Sequence, residues 1–209
     1  MSKLSWMWFL LAIVYAVFFS WYTSFGGPLT EEEIDYYIDT FNEQNPDAPA
    51  ENRTNVRRFM EQDTGDDFVV VNVVGRYEKP QQVEGISPDD TTEEVLAEYM
   101  EYMYVALVSR ASHPIFAGAV ASQGNFFLNA PAMEHWTQAA GVRYRSRRDL
   151  LEITSNPAFS AIHEFKIAAL AKTIAVSVDP WFHLGDPRLI LALFLGLIGS
   201  LVSWRSQNG

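Results

Sequence analysis

Two uncharged apolar runs bracket this chain. Leu4 to Tyr22 reads LSWMWFLLAIVYAVFFSWY, and Leu189 to Ser203 reads LILALFLGLIGSLVS. A helix needs about 20 apolar residues to cross the hydrocarbon core of a bilayer, so the first run has spanning length. Trp6, Trp8, Trp21 and Tyr22 lie near its ends, where aromatic rings favour the headgroup boundary. No A-x-A-like site follows it, which sets a transmembrane anchor ahead of a cleaved signal peptide. The second run is shorter, but Pro187 suits a first helical turn, Arg188 can snorkel, and Trp204 with Arg205 closes the far end. The rival reading of that run is a buried helix of the intervening domain. Ala12/Ala16 and Gly196/Ser200 offer small-xxx-small pairs through which two such helices can pack.

Two spans place both termini on one side of the membrane. Lys3 and Arg205 flank the terminal ends, whereas Glu31, Glu32 and Glu33 follow the first span, so the positive-inside rule puts the termini in the cytoplasm. The expectation is an integral membrane protein, in a bacterium one of the inner membrane, with its folded domain in the periplasm. The organisation read from the sequence is a helix and tail over residues 1–25, a helical stalk over 26–66, a folded domain over 67–182, and a second helix and tail over 183–209.

Charge and cysteine usage narrow the function. The net charge is −11, and the segment between residues 26 and 188 holds all 26 acids against 13 of the 15 bases. A surface of that sign repels phosphate backbones, so nucleic acid is not an expected partner. With no cysteine, disulfides, thiolate nucleophiles, zinc ribbons and iron–sulfur clusters are excluded.

Within the segment, Thr30-x-x-Glu33 forms a capping box ahead of Ile34, Tyr37, Ile38 and Phe41 at helical spacing. A second helix is predicted over 50–62, after the break at Asn45-Pro46. Phe68 to Val74, FVVVNVV, is β-branched and bounded by Gly65 and Gly75, the pattern of a strand covered on both faces. Thr91-x-x-Glu94 caps a helix with Val95, Leu96, Tyr99, Met103, Ala106 and Leu107 on one face. Strands are expected over 115–121 and 139–145, with Phe126 to Leu128 extending the pairing. Ser146 caps a further helix that restarts at Asn156-Pro157, and Ile174, Val176 and Val178 mark the last strand. The order β-α-β-β-α-β is the ferredoxin-like arrangement, an α+β fold with both helices on one face of an antiparallel sheet. The other face of FVVVNVV then lacks cover. A second copy would supply it, making a homodimer; the alternative is that the two N-terminal helices do so.

The stretches FVVVNVVGRYEK, EYMEYMYVALVSRASHPIFAGAV and MEHWTQAAGVRYRSRRDLLEITSNPAFSAIHEFKIAALAKTIAVSV resemble an uncharacterised ferredoxin-like family, a domain of unknown function within the dimeric α+β-barrel superfamily. The likeness covers residues 67 to 179 and is most specific over RYRSRRDLLEITSNPAF. It sets Tyr144, Ser146, Arg147, Pro157 and His163 at the family's motif positions, and it implies the fold and a dimer. It supplies no reaction. The wider superfamily includes cofactor-independent monooxygenases, isomerases and haem proteins. The terminal helices, the stalk and NFFLNAPAMEHW depart from the family pattern.

The four histidines His113, His135, His163 and His183 are scattered, and HEFKI at His163 has Ile167 where a zinc protease motif needs a second His. No metal site and no cofactor are expected. His163 is the one candidate catalytic residue, as a general base or, in a third reading, a haem ligand; the competing reading is a structural histidine. Arg143 and Arg145 share one side of their strand. With Asn72 and Tyr144 they form a candidate anion-binding set in an inter-subunit cavity, against the reading that both arginines pair with acids of the chain. No Gly-rich phosphate loop or nucleophile elbow is present. The leading expectation is a membrane-anchored, ligand-binding, accessory or sensor protein without an evident reaction, open to other membrane subunits. The alternative is a cofactor-independent small-molecule enzyme.

Overall fold

A computed structural model describes residues 2–122, 135–181 and 183–208. The strand extension expected at Phe126 to Leu128 lies outside the described residues. The chain divides into two compact units, residues 25–179 and a pair of terminal segments.

In the terminal unit, α1 (Lys3–Tyr22) and α7 (Pro187–Asn208) are both long and apolar enough to cross a membrane. They pack antiparallel. Trp8 Nε1 donates to Ser203 Oγ at 3.2 Å, and the Arg188 guanidinium lies 5.4 Å from the Tyr22 ring centroid. The close approach occurs at Gly199, where a Cβ would fall 2.7 Å from the Trp8 ring, whereas nothing lies within 4 Å at Gly196. The small residue that matters is therefore Gly199. A bulky indole, rather than a second small residue, fills the gap it leaves.

In the other unit, a four-stranded antiparallel sheet is built from β1 (Phe68–Arg76), β2 (His113–Ala119), β3 (Gln138–Tyr144) and β4 (Leu170–Val178). Its spatial order is β2-β3-β1-β4. The α+β arrangement read from the sequence is the one observed. Helix α4 (Thr92–Val108) connects β1 to β2, and α5 (Arg147–Thr154) with α6 (Pro157–Ala169) connects β3 to β4. Both capping boxes form: Thr30 N donates to Glu33 Oε2 at 2.8 Å ahead of α2 (Glu31–Gln44), and Thr91 N donates to Glu94 Oε2 at 2.8 Å ahead of α4. Such reciprocal caps satisfy amide donors that a helix end otherwise leaves bare.

The starts of β2 and β4 depart most from the predicted bounds. β2 begins at His113 rather than Ile115, because an edge strand tolerates Pro114, which has no N–H to give, and a register shift follows between Pro114 and Phe116. β4 begins at Leu170, directly on the end of α6, because Arg76 and Gly75 of β1 offer pairing partners to Leu170 and Lys172. Tertiary pairing overrides the helical period there.

Alternation along β1 sends Phe68, Val70, Asn72 and Val74 to the helical side and Val69, Val71 and Val73 to the other. On the helical side, Phe68, Tyr99, Met103, Leu107, Tyr144, Ile153 and Phe159 form the core. The N-terminal helices α2 and α3 (Ala50–Glu61) do not cover the other side. Ile34 and Met60 cluster with Leu29 and Leu151 of α5, and Phe59 of α3 sits 5.5 Å from the Phe68 ring at the end of the helical layer. The open face therefore leaves Phe116 at 48% and Val176 at 51% exposure, in one cross-strand row with Gly141 and Val71.

Arg147 ties the layers together. It donates to the Phe59 carbonyl, stacks 4.7 Å over the Phe59 ring, and lies between Asp63 at 3.7 Å and Asp179 at 3.6 Å. Asp63 in turn accepts from Leu29 N at 2.9 Å and Gly65 N at 3.1 Å. Arg148 grips Glu33 at 2.6 and 3.0 Å, and this hydrogen-bonded pairing holds the Glu33 carboxyl at about 2.

Candidate functional site

The register of the sheet opens a space on its helical side. Asn72 of β1 lies opposite Ala140 of β3 and Ala175 of β4, and Ala140 lies opposite Ala117 of β2. One row across all four strands is thus alanine except for a single asparagine. The flanking rows on β1 and β3 carry Val70 with Val142 and Val74 with Gln138. Side chains this short do not reach the helices above them, so the layer separation set by the larger flanking residues leaves a void. That void is a cavity of about 780 Å³. α4 and α6 roof it with Tyr99, Met100, Met103, Tyr104, Phe159, His163, Lys166 and Ile167, and Tyr37 and Phe41 of α2 close one end. Volume, apolar lining and few polar groups are the attributes of small-molecule sites.

Several polar side chains line it, among them Asn72, Gln138, His163, Glu164 and Lys166. His163 is half-buried, its ring 4.8 Å from that of Phe159 and 6.1 Å from that of Tyr99, and its Nδ1 has no hydrogen-bond partner among the described residues. Burial, helped by the nearby Lys166 charge, lowers its pKa to about 4, so the imidazole is neutral at physiological pH. Lys166, one turn further along α6, holds its ammonium 5.7 Å from the Tyr99 ring centroid, and burial lowers its pKa. Asn72 makes only a long contact, Nδ2 to the Val70 carbonyl at 3.4 Å. Burial pushes the phenol of Tyr99 up and that of Tyr144 up to about 12, so both stay protonated.

The structure separates the residues that the sequence grouped. His163, Asn72 and Tyr144 all line the cavity. Arg143 and Arg145 do not. Arg143 is 1% exposed on the opposite side of the sheet, donating to Asp67 Oδ2 at 2.9 Å and to the Ala111 carbonyl at 2.7 Å. Arg145 holds Asp149 through two bonds of 2.9 and 2.7 Å. Asn72 is therefore not on the face of the two arginines: it is in register with Ala140, three residues from Arg143, and an odd separation reverses the face. The void sits between sheet and helices of one chain, on the side of the sheet opposite the two arginines. Asp149, buried, also accepts from Ser146 Oγ at 2.7 Å, so the Arg-Ser-Arg stretch of the motif closes a helix start rather than a ligand site. Lys166 was missed as a site residue. Its signal was its place in the apolar period of the helix after Pro157, where a lysine is out of character.

No protein-family model and no curated protein sequence matches this chain. Solved structures do match it. The fold is shared with a protein of unknown function. That crystal structure, from Rhodopseudomonas palustris, is 19% identical and covers 66% of this chain and 97% of its own, with a TM-score of 0.51. The methylated form of the same protein gives 18% identity, 67% and 96% coverage, and a TM-score of 0.52. SnoaB, a cofactor-independent oxygenase from Streptomyces nogalater, is 9% identical over 58% of this chain and 99% of its own, but at a TM-score of 0.37 that likeness carries no argument. The recognised resemblance to uncharacterised ferredoxin-like proteins therefore stands on the fold, and the fold brings no reaction with it.

Proposed function

We propose that this protein is a membrane-anchored homodimer that binds a small molecule in the cavity between its sheet and its helices. The observation that carries the reading is the cavity itself: about 780 Å³, floored by Ala117, Ala140, Asn72 and Ala175 and roofed by aromatic and sulfur side chains. Protein interiors hold few voids larger than a water molecule, so a largely apolar recess of this size is a candidate ligand site. A thermal-shift screen of the full chain in lipid nanodiscs with small aromatic and aliphatic compounds tests it. Stabilisation by at least one compound that is lost in Ala140→Leu supports the site; a screen without any stabilising compound removes it.

The anchor rests on α1 and α7, and the orientation rests on Lys3 and Arg205 at the terminal ends against the acidic start of α2. Both termini in the cytoplasm and the domain in a bacterial periplasm is the proposed topology, with the bilayer as the first partner and other membrane subunits as further ones. An alkaline phosphatase fusion at the C-terminus should be inactive if it holds. The dimer rests on the open row of Phe116, Val71 and Val176, an exposed apolar sheet face of the kind that marks an interface. A strictly monomeric detergent-solubilised protein would refute it.

A second reading is favoured by one observation. The neutral imidazole of His163, with Nδ1 unpartnered beside the cavity, is a suitable general base for a cofactor-independent reaction on the bound molecule. Turnover of a compound found by the screen, lost in His163→Gln with binding kept, would establish it. Binding without turnover leaves the domain a receptor.

A further inference from the structure

Lys166 is the only lysine or arginine among the described lining residues of the cavity. Its placement is unusual in this chain, where 26 acids outnumber 15 bases. Carboxylates are plentiful, and the arginines of the domain find them: Arg57, Arg76, Arg110, Arg143, Arg145 and Arg148 all hold ion pairs of 3.0 Å or less. Lys166 makes no ion pair and no hydrogen bond among the described residues; its described charge contact is the Tyr99 ring. A desolvated ammonium is costly unless paired, and the ring face of Tyr99 offsets only part of that cost. Glu164 also reaches the lining but forms no pair with it. The anion that would complete Lys166 is thus not supplied by the described protein.

The surroundings say what else that anion must carry. The Tyr99 ring lies beside the ammonium and packs against that of Phe159, Met103 adds thioether surface to the same lining, and the alanine row forms the floor. We infer that the cavity takes an aryl-substituted alkanoate, its carboxylate on the Lys166 ammonium and its ring between the Tyr99 and Phe159 side and the Ala140 floor. Asn72 offers the one side-chain amide of that floor row to a second polar group. This inference rests on the ligand-site reading and names its chemical class. It moves the anion-binding role from Arg143 and Arg145, whose guanidiniums hold acids of the chain, to a residue on the opposite side of the sheet.

Equilibrium dialysis of the full chain in nanodiscs with phenylpropanoate and with the isosteric neutral phenylpropanamide tests it. The acid should bind about tenfold more tightly than the amide, the size expected of one charge-assisted bond in a partly dry site. Lys166→Met should weaken the acid about tenfold and leave the amide unchanged, while Lys166→Arg keeps the preference. Unchanged amide binding doubles as the check that Lys166→Met is folded. Ala140→Leu should weaken both compounds. Equal binding of acid and amide by the wild type, or a preference that survives Lys166→Met, overturns the inference and leaves the ligand site intact. Affinities for both compounds that Ala140→Leu leaves unchanged overturn the placement over the alanine floor. If neither compound binds while the screen stabilises the protein with neutral compounds, the carboxylate is wrong and the cavity is right.

Discussion

Filling the cavity from below gives a prediction whose sign is diagnostic. Ala140→Leu adds three carbons at the centre of the floor, beside Asn72 and opposite Ala117. At about 0.8 kcal/mol per fully buried methylene the gain is bounded near 2.4 kcal/mol. The site is not closed: on β4, Thr173, Ala175 and Ser177 are exposed along the same side of the sheet, so roughly half of that transfer is realised. Fixing the leucine rotamer removes a further ~0.5 kcal/mol. The net is a stabilisation of somewhat under 1 kcal/mol, a rise in Tm of about 2–3 °C for a protein of this length. A packed site answers in the opposite direction, since overfilling a core costs typically 1–3 kcal/mol. Thermal denaturation followed by circular dichroism, on the full chain in one detergent, reads the difference. A fall in Tm of more than about 3 °C would mean that Ala140 is already in contact above, and the cavity would lose its floor.

Gly65 sits at φ +81°, and a Cβ there would meet Gly27 Cα at 2.7 Å and Pro28 N at 2.8 Å, backbone atoms that no rotamer change can clear. Gly65→Ala should cost at least about 3 kcal/mol and lower Tm by roughly 6–12 °C; a change under about 2 °C would refute the close approach. Ala111 holds φ 51° just past the end of α4, in the place where glycine usually ends a helix, so Ala111→Gly should be neutral or stabilise by up to ~1 kcal/mol in the same melt. His163 titrates near 4 in the folded chain against an ordinary value of 6.5, so the unfolded chain binds the proton more readily. Its contribution is complete above pH about 6.5 and is lost as pH falls toward 4, by about 1–2 kcal/mol after allowance for its partial exposure. Tm against pH for the wild type and for His163→Phe checks this. The gap between the two curves should be constant above neutrality and change in acid, and curves that stay parallel throughout would place the acid limb elsewhere.

The fold was readable because its punctuation is local. Thr30 with Glu33, Thr91 with Glu94, Ser146, and Asn156 before Pro157 each mark a helix start by chemistry that acts within four residues, and all four caps form. The sheet order followed from the β-α-β-β-α-β sequence of elements. The site was less legible, because it is made by register across four strands. Ala117, Ala140 and Ala175 are unremarkable one at a time, and only their alignment with Asn72 creates a volume. The arginines misled for a related reason. A strand period tells that Arg143 and Arg145 share a side, but not that Asp67 and Asp149 reach them, one from just before β1 and the other from the first turn of α5. His163 was singled out by its motif position, and it lines the cavity. Lys166 falls on the apolar period of the helix that begins at Pro157, and a charged residue on that beat was the available clue.

β1 also separates the proposed ligand site from the proposed self-association face. Its even positions, Val70, Asn72 and Val74, belong to the cavity, and its odd positions, Val71 and Val73, belong to the open face. A second copy seated on Phe116, Val71 and Val176 would close that face without entering the space above Asn72. The pocket is thus complete within one chain and does not depend on a dimer. Val176→Asp places a carboxylate at the β4 end of the exposed row, where an interface would have to desolvate it without a partner. It should raise the dimer dissociation constant at least about a hundredfold, on the order of 3 kcal/mol. Binding in the cavity should stay within about twofold of the wild type, because opposite faces of one sheet share no ligand contact. Multi-angle light scattering and equilibrium dialysis on the same sample measure both. A variant that becomes monomeric and loses the ligand together would show that the partner chain shapes the pocket after all, and that the alanine row alone does not make the site.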